Sequence, residues 1–135
     1  MSRVLPPARR ALALPLAFVA SLALTLACHG YGNEADELGV GAECSATGDC
    51  LEGQSCLTQF KGGYCGMTGC TSSDDCPASS GCVTHTDSQN YCFRICADKD
   101  ECNANRSVEV ESNCSSNVTF ASGKKEGKAC VPPSN

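Results

Sequence analysis

The chain reads as a small disulfide-rich protein: three tandem four-cysteine modules with short β-hairpins and little helix outside an N-terminal signal segment. Three observations predict this. Cysteine is abundant, 13 in 135 residues, and above roughly 8–10% of a short exported chain it marks a disulfide scaffold. Large apolar side chains are scarce: beyond residue 27, Leu, Ile, Val and Phe number 13 in 108 residues, and there is no Trp. Burial alone cannot then offset the entropy of ordering the backbone. Bridges worth roughly 2–4 kcal/mol each, less where they overlap, must supply the difference. The third observation is a fixed period in the cysteines themselves.

At the N-terminus, Arg3, Arg9 and Arg10 precede an uncharged, Ala/Leu-rich run from Ala11 to Ala27. A basic start, an apolar run and small residues before a cleavage point define a secretory signal, so residues 1–27 are set aside from the fold. The run is short for a membrane span and is interrupted by Pro15. All 15 acidic residues lie beyond it, against seven basic ones, a net charge of −8 for 28–135. That balance argues against nucleic acid and against an anionic membrane surface as partners.

The segment Thr25-Leu26-Ala27-Cys28 resembles a bacterial lipobox. The resemblance implies cleavage before Cys28 and lipid on its sulfur. The small Ala27 fits that pattern; Leu24 stands four residues before the cysteine, where the commonest form has Leu three before. Parity points the same way. Thirteen thiols cannot all pair, and giving Cys28 to lipid leaves twelve. The competing reading is an ordinary signal whose Cys28 joins a bridge. A lipid-bearing Cys28 implies a bacterial cell-envelope protein held to a membrane, expected to be the outer membrane. Residues 28–43, rich in Gly and acidic side chains and without a second cysteine, are expected to be a flexible tether.

The remaining cysteines form groups of four: 44, 50, 56 and 65; 70, 76, 82 and 92; 96, 102, 114 and 130. First members lie 26 residues apart, twice, and so do second members. An acidic residue precedes each second cysteine (Asp49, Asp75, Glu101), and a tyrosine precedes the fourth in two groups (Tyr64, Tyr91). A fixed period of this kind predicts an array of similar units: 44–69, 70–95 and a divergent 96–135.

Each unit begins with a polar stretch between its first and second cysteines, expected to be a loop or single helical turn closed by Ser, Thr or Asp side chains. A hairpin is expected between the third and fourth. Val83-Thr84-His85 and Asn90-Tyr91-Cys92-Phe93 flank one turn, and Val118-Thr119-Phe120 and Ala129-Cys130-Val131 flank another. Two strands alone are marginal in water, so each hairpin needs its cysteines tied to the preceding loop.

Four cysteines allow three pairings, and spacing does not choose between them. First-to-third with second-to-fourth is preferred because it ties the loop to both strands, giving Cys44–Cys56, Cys50–Cys65, Cys70–Cys82, Cys76–Cys92, Cys96–Cys114 and Cys102–Cys130. The order C-x5-C-x5-C-x8-C resembles the first four cysteines of an epidermal-growth-factor-like module, which pair in this way, although the closing pair of that family is missing. Asp49-Cys50-Leu51-Glu52-Gly53 also resembles Dickkopf-type cysteine-rich regions. Lipobox and repeats together resemble the small cysteine-rich lipoproteins encoded by myxobacteria, most of which have no assigned activity.

No catalytic, cofactor or metal site is expected. Structural zinc prefers two to four residues between paired ligands. The chain has no C-x2-C, and its nearest spacings, Cys92 to Cys96 and Cys65 to Cys70, straddle unit boundaries. The absence of C-x2-C also removes the thioredoxin-like motif. Of two histidines, His29 falls in the tether and His85 is expected to be an exposed strand residue near Asp87, without a nucleophile or cleft for a triad. Asp74-Asp75 and Asp98, Asp100 and Glu101 lack the spacing of a calcium loop and are read as turn caps. Phe60, Tyr64, Tyr91 and Phe93 are read as packing over disulfides rather than as a recognition surface. Asn105, Asn113 and Asn117 head formal N-glycosylation sequons, which are expected to carry no meaning if the chain is bacterial and would mark the third unit as exposed if it were eukaryotic.

A binding or surface-structural protein is therefore expected, not an enzyme, with a membrane partner through lipid at Cys28 and a protein or glycan partner for its loops. The rival class is a secreted or surface-held protease inhibitor or effector, for which Lys61 and Arg94 are the hairpin-region candidates for a protruding, cleavable residue.

Overall fold

The computed structural model describes residues 34–37, 39–122 and 127–135. The signal segment, Cys28, His29 and the start of the tether lie outside the described residues. The elements are short: helices α1 (Glu34–Glu37) and α2 (Lys99–Cys102), and strands β1 (Ser55–Cys56), β2 (Cys65–Gly66), β3 (Ser80–Thr84), β4 (Asn90–Cys96), β5 (Asn113–Ser115), β6 (Thr119–Phe120) and β7 (Lys128–Val131). Single 3-10 turns occupy Thr47–Asp49, Ser73–Asp75 and Val108–Val110. The protein is a small, mostly strand, six-bridge fold with little helix.

The acidic residue of each repeat closes its loop. Asp49 Oδ2 accepts the backbone N–H groups of Ser45 and Ala46, at 2.8 and 3.0 Å. Asp75 Oδ2 accepts those of Thr71 and Ser72, also at 2.8 and 3.0 Å, and the Thr71 hydroxyl at 2.9 Å. In the third unit Glu101 Oε2 accepts the Ala97 N–H, while Asp98 caps α2 by accepting the Glu101 N–H. Each carboxylate satisfies backbone donors that a one-turn helix cannot.

The third and fourth cysteines of every unit stand opposite one another in an antiparallel pair: Cys56 opposite Cys65, Cys82 opposite Cys92, Cys114 opposite Cys130. None of these neighbours is bonded to the other. Each bonds back to the loop, giving Cys44–Cys56, Cys50–Cys65, Cys70–Cys82, Cys76–Cys92, Cys96–Cys114 and Cys102–Cys130.

The third unit departs from the expected hairpin. Strand β6 does not pair with β7; it pairs with β3 of the second unit, Val83 opposite Phe120, and β7 pairs with β5 and with the end of β4. The resulting five-strand order is β5-β7-β4-β3-β6. The edge strands β5 and β6 are joined by residues 116–118 alone. Four strand spacings of a flat sheet amount to roughly 19 Å, whereas four Cα steps reach about 14 Å at most. The sheet must therefore curl until its edges approach.

The units are welded into one body. Phe60, Tyr64, Tyr91 and Phe93 are all buried in one cluster with Val40, Leu57, Val83 and Ala129, drawn from the expected tether and all three units. Phe60 meets the other three rings edge-on, with centroids 5.2–6.1 Å apart. These rings pack on each other rather than over disulfides, and two of the cystine groups form clusters of their own. Alternation along β4 explains the split: Tyr91 and Phe93 share one face, and Cys92 points to the other. The C-terminus returns to the first unit, where the N–H groups of Lys61 and Asn135 donate to Pro133 and Gln59 carbonyls.

The flexible tether is corrected over its described second half. Ala35 and Val40 are buried in the aromatic cluster. The Gly41 N–H donates to the Cys65 carbonyl, and the Cys65 N–H to the Ala42 carbonyl, both at 2.9 Å. Two small apolar side chains and a strand-like pairing are enough to dock this segment onto β2.

Candidate functional site

A shallow cleft of about 430 Å³ opens where the docked segment meets the first unit, lined by Glu37, Gly39, Ala42, Glu43, Asp49, Cys50, Leu51 and Cys65, with Asn105 of the third unit. Gly39 and Gly41, both at positive φ, turn the chain past the cleft. Glu43 is fixed from both sides: its N–H donates to the Asn105 carbonyl and its Oε2 accepts the Ser107 N–H, each at 2.9 Å. Leu51, one of two large apolar side chains exposed among the described residues, forms part of the wall.

The cleft is electronegative. Hydrogen bonding to Ser107, assisted by the Arg106 charge, holds the Glu43 carboxyl below the usual range against a small desolvation penalty. The Ser45 and Ala46 N–H groups do the same for Asp49. Both are ionised at neutral pH. The cation that acts on Glu43, Arg106, has its hydrogen bonds spent elsewhere: its Nε donates to Val110, its Nη1 to Gly41 and Gly63 and its Nη2 to Lys61, all at carbonyl oxygens 2.8–3.2 Å away. The lining includes no Ser, Thr, His or Lys and so offers no nucleophile–base pair. A cationic or hydrogen-bond-donating group suits this surface; a phosphate or sulfate does not.

The acidic residues singled out by sequence form no common site. Asp75, Asp98 and Glu101 each serve their own loop. His85 is corrected. It lies just beyond β3, its side chain is 9% exposed, and its ring meets Phe60, Tyr91 and Phe93 edge-on at 5.3–6.0 Å. Its apolar ring edge completes the aromatic cluster, while Asp87 faces its Nδ1 at 3.5 Å and accepts the Tyr91 hydroxyl at 2.7 Å. Arg94 is corrected too: it is buried in β4 opposite Ser80 and does not protrude. Lys61 is exposed, but its N–H and carbonyl are both engaged and Gly62 and Gly63 follow at positive φ, so no extended inhibitory segment continues from it. Asn105, Asn113 and Asn117 are exposed.

In each unit three sulfurs lie within 4.8 Å of one another: Cys44, Cys50 and Cys65; Cys70, Cys76 and Cys92; Cys96, Cys102 and Cys130. All are cystine sulfurs, which lack the thiolate charge that makes cysteine a metal ligand. Sequence reasoning missed Arg106, Glu43 and Leu51. An arginine inside a polar run looks solvated, and three of its four carbonyl partners, Gly41, Lys61 and Gly63, come from two distant segments, so no local signal marked it. Among the described residues no helix is long and apolar enough to cross a membrane. No protein-family model, curated protein or solved structure matches the chain.

Proposed function

We propose that this chain is a surface-held, extracytoplasmic binding protein of a bacterial envelope, anchored by lipid on Cys28, and not an enzyme. The observation that carries the reading is the bridging pattern. Twelve of thirteen cysteines are bonded to one another, so no cysteine of the chain remains to bridge Cys28. Bridges of this density also suit an oxidising compartment. The docked segment would place the cleft close to the anchor, since only residues 29–33 separate Cys28 from α1, at most roughly 20 Å of extended chain. The favoured partner is a protein or glycan presenting a cationic or hydrogen-bond-donating group to Glu37, Glu43 and Asp49.

Intact mass of the mature protein extracted from envelopes tests the anchor. The expected species starts at Cys28, carries diacylglycerol-type lipid and has no alkylatable thiol. A water-soluble species with an alkylatable Cys28 would end the reading. Cross-linking from the cleft rim tests the binding role: the partner captured by the native protein should be lost with Leu51→Asp and Glu43→Lys, and equal capture by the variants would remove the cleft from the proposal.

A further inference from the structure

The side-by-side bridges have chemical consequences. Of each three-sulfur group, two sulfurs belong to the second-to-fourth bridge and one to the first-to-third in the first and third units (Cys44 and Cys96), and the same holds for Cys70 in the second. Only Cys50, Cys56, Cys76 and Cys114 are partly exposed; the other bridged cysteines are buried. Attack on an exposed sulfur expels its buried partner: Cys65 from Cys50, Cys44 from Cys56, Cys92 from Cys76, Cys96 from Cys114. Each expelled sulfur is a member of its unit's close group. We propose that each unit is a thiol–disulfide relay, in which opening one bridge from solvent is passed to the bridge beside it.

In the third unit a small external thiolate attacks Cys114 Sγ. The Cys96–Cys114 bond breaks, Cys114 keeps the external thiol as a mixed disulfide, and the electron pair leaves on Cys96. The Cys96 thiolate, within 4.8 Å of Cys102 and Cys130, attacks one of them. The Cys102–Cys130 bond breaks, a Cys96–Cys102 or Cys96–Cys130 bond forms, and the displaced sulfur takes a proton from water. One external thiolate enters, one protein thiol emerges, and the number of disulfides is unchanged, so no oxidant or reductant is needed. Exchange follows thiolate access and leaving-group quality, and the buried triad supplies access where solvent does not. The second unit runs the same way in the opposite order: entry at Cys76, transfer from Cys92 to Cys70, release of Cys82. The relay survives in the third unit although its cysteine spacing has widened, because the cross-strand register of Cys114 and Cys130 is kept.

The test exposes the oxidised mature protein briefly to excess glutathione, quenches with acid, alkylates and maps bridges by mass spectrometry. Glutathione on Cys114 is expected together with a non-native Cys96–Cys102 or Cys96–Cys130 bridge, and alkylation at Cys130 or Cys102 about tenfold above that at Cys96. Alkylated Cys96 beside an intact Cys102–Cys130 bridge would overturn the relay. In the Cys102→Ser/Cys130→Ser variant, which removes the acceptor, alkylation should move to Cys96. Should that variant fail to fold, the wild-type map alone decides.

Discussion

The guanidinium of Arg106 stands 5.7 Å from the centre of the Tyr64 ring, and both groups are buried. Tyr64 belongs to the first unit and Arg106 to the third. Around this contact Arg106 donates to carbonyls of the docked segment, the first unit and the third unit. A planar fork of five donors can serve four diverging carbonyls; a lysine, with three donors on one nitrogen, cannot. Arg106→Ala should cost at least about 3 kcal/mol, since several buried carbonyls lose their partner together. Arg106→Lys should recover less than half of that. Urea unfolding with the bridges intact measures both, and a lysine variant as stable as the native protein would show that charge alone suffices.

Gly63 should tolerate no side chain. Its φ is +66°, and a Cβ there would lie 2.1 Å from the Cys44 carbonyl and 2.8 Å from the sulfurs of Cys44 and Cys56. Backbone and cystine cannot give way as a flexible side chain does. Gly63→Ala is expected to prevent native Cys44–Cys56 closure, seen as scrambled bridges after oxidative refolding. Gly53, at φ +83° with nothing within 4 Å of a Cβ, is the control. Gly53→Ala should refold with native bridges and lose only about 1–2 kcal/mol, the left-handed backbone cost.

Acid should loosen the first two loops. The N–H groups facing Asp49 and Asp75 hold both carboxyls below the ordinary Asp value near 3.9. A folded-state pKa below the unfolded one gives stability that is present above about pH 4 and is lost as pH falls through the folded value. Both groups are exposed, so the effect is modest and should appear only in the acid limb. The Asp49→Asn/Asp75→Asn variant should show a flatter fall in unfolding midpoint between about pH 5 and 2 than the native chain. Identical acid limbs would mean that the caps contribute nothing.

The 26-residue period made the loops and three-unit plan legible, because a cysteine and an acidic cap are local features that repeat. In every unit the bridges run from first to third and from second to fourth cysteine, so each loop is tied to both strands. What stayed illegible depends on long-range partners. Residues 28–43 read as a tether because Ala35 and Val40 are too few to register as an apolar pattern, yet these two side chains suffice to dock the described part where a ready-made aromatic cluster awaits them. His85 read as exposed because one polar ring carries no period. Proximity along the chain favours a hairpin of β6 with β7, whereas the cross-unit pairing with β3 depends on sheet curvature that no hairpin rule encodes. The cleft was invisible for the same reason: its walls come from four separated stretches of the chain.

Phe60 decides whether three covalently closed units behave as three proteins or one. Each unit has its own pair of bridges, which alone would permit independent melting. Yet Phe60 of the first unit packs against Tyr91, Phe93 and the His85 ring of the second, and the strand order mixes the second and third. A ring buried among four others cannot leave without exposing all of them. Phe60→Ala should therefore cost about 3–5 kcal/mol, shift the whole unfolding curve and leave it a single transition. Amide exchange should slow together at Tyr64, Tyr91 and Ala129 in the native chain and accelerate together in the variant. Acceleration confined to the first unit would show that the cystines, rather than the aromatic cluster, set the cooperative boundaries.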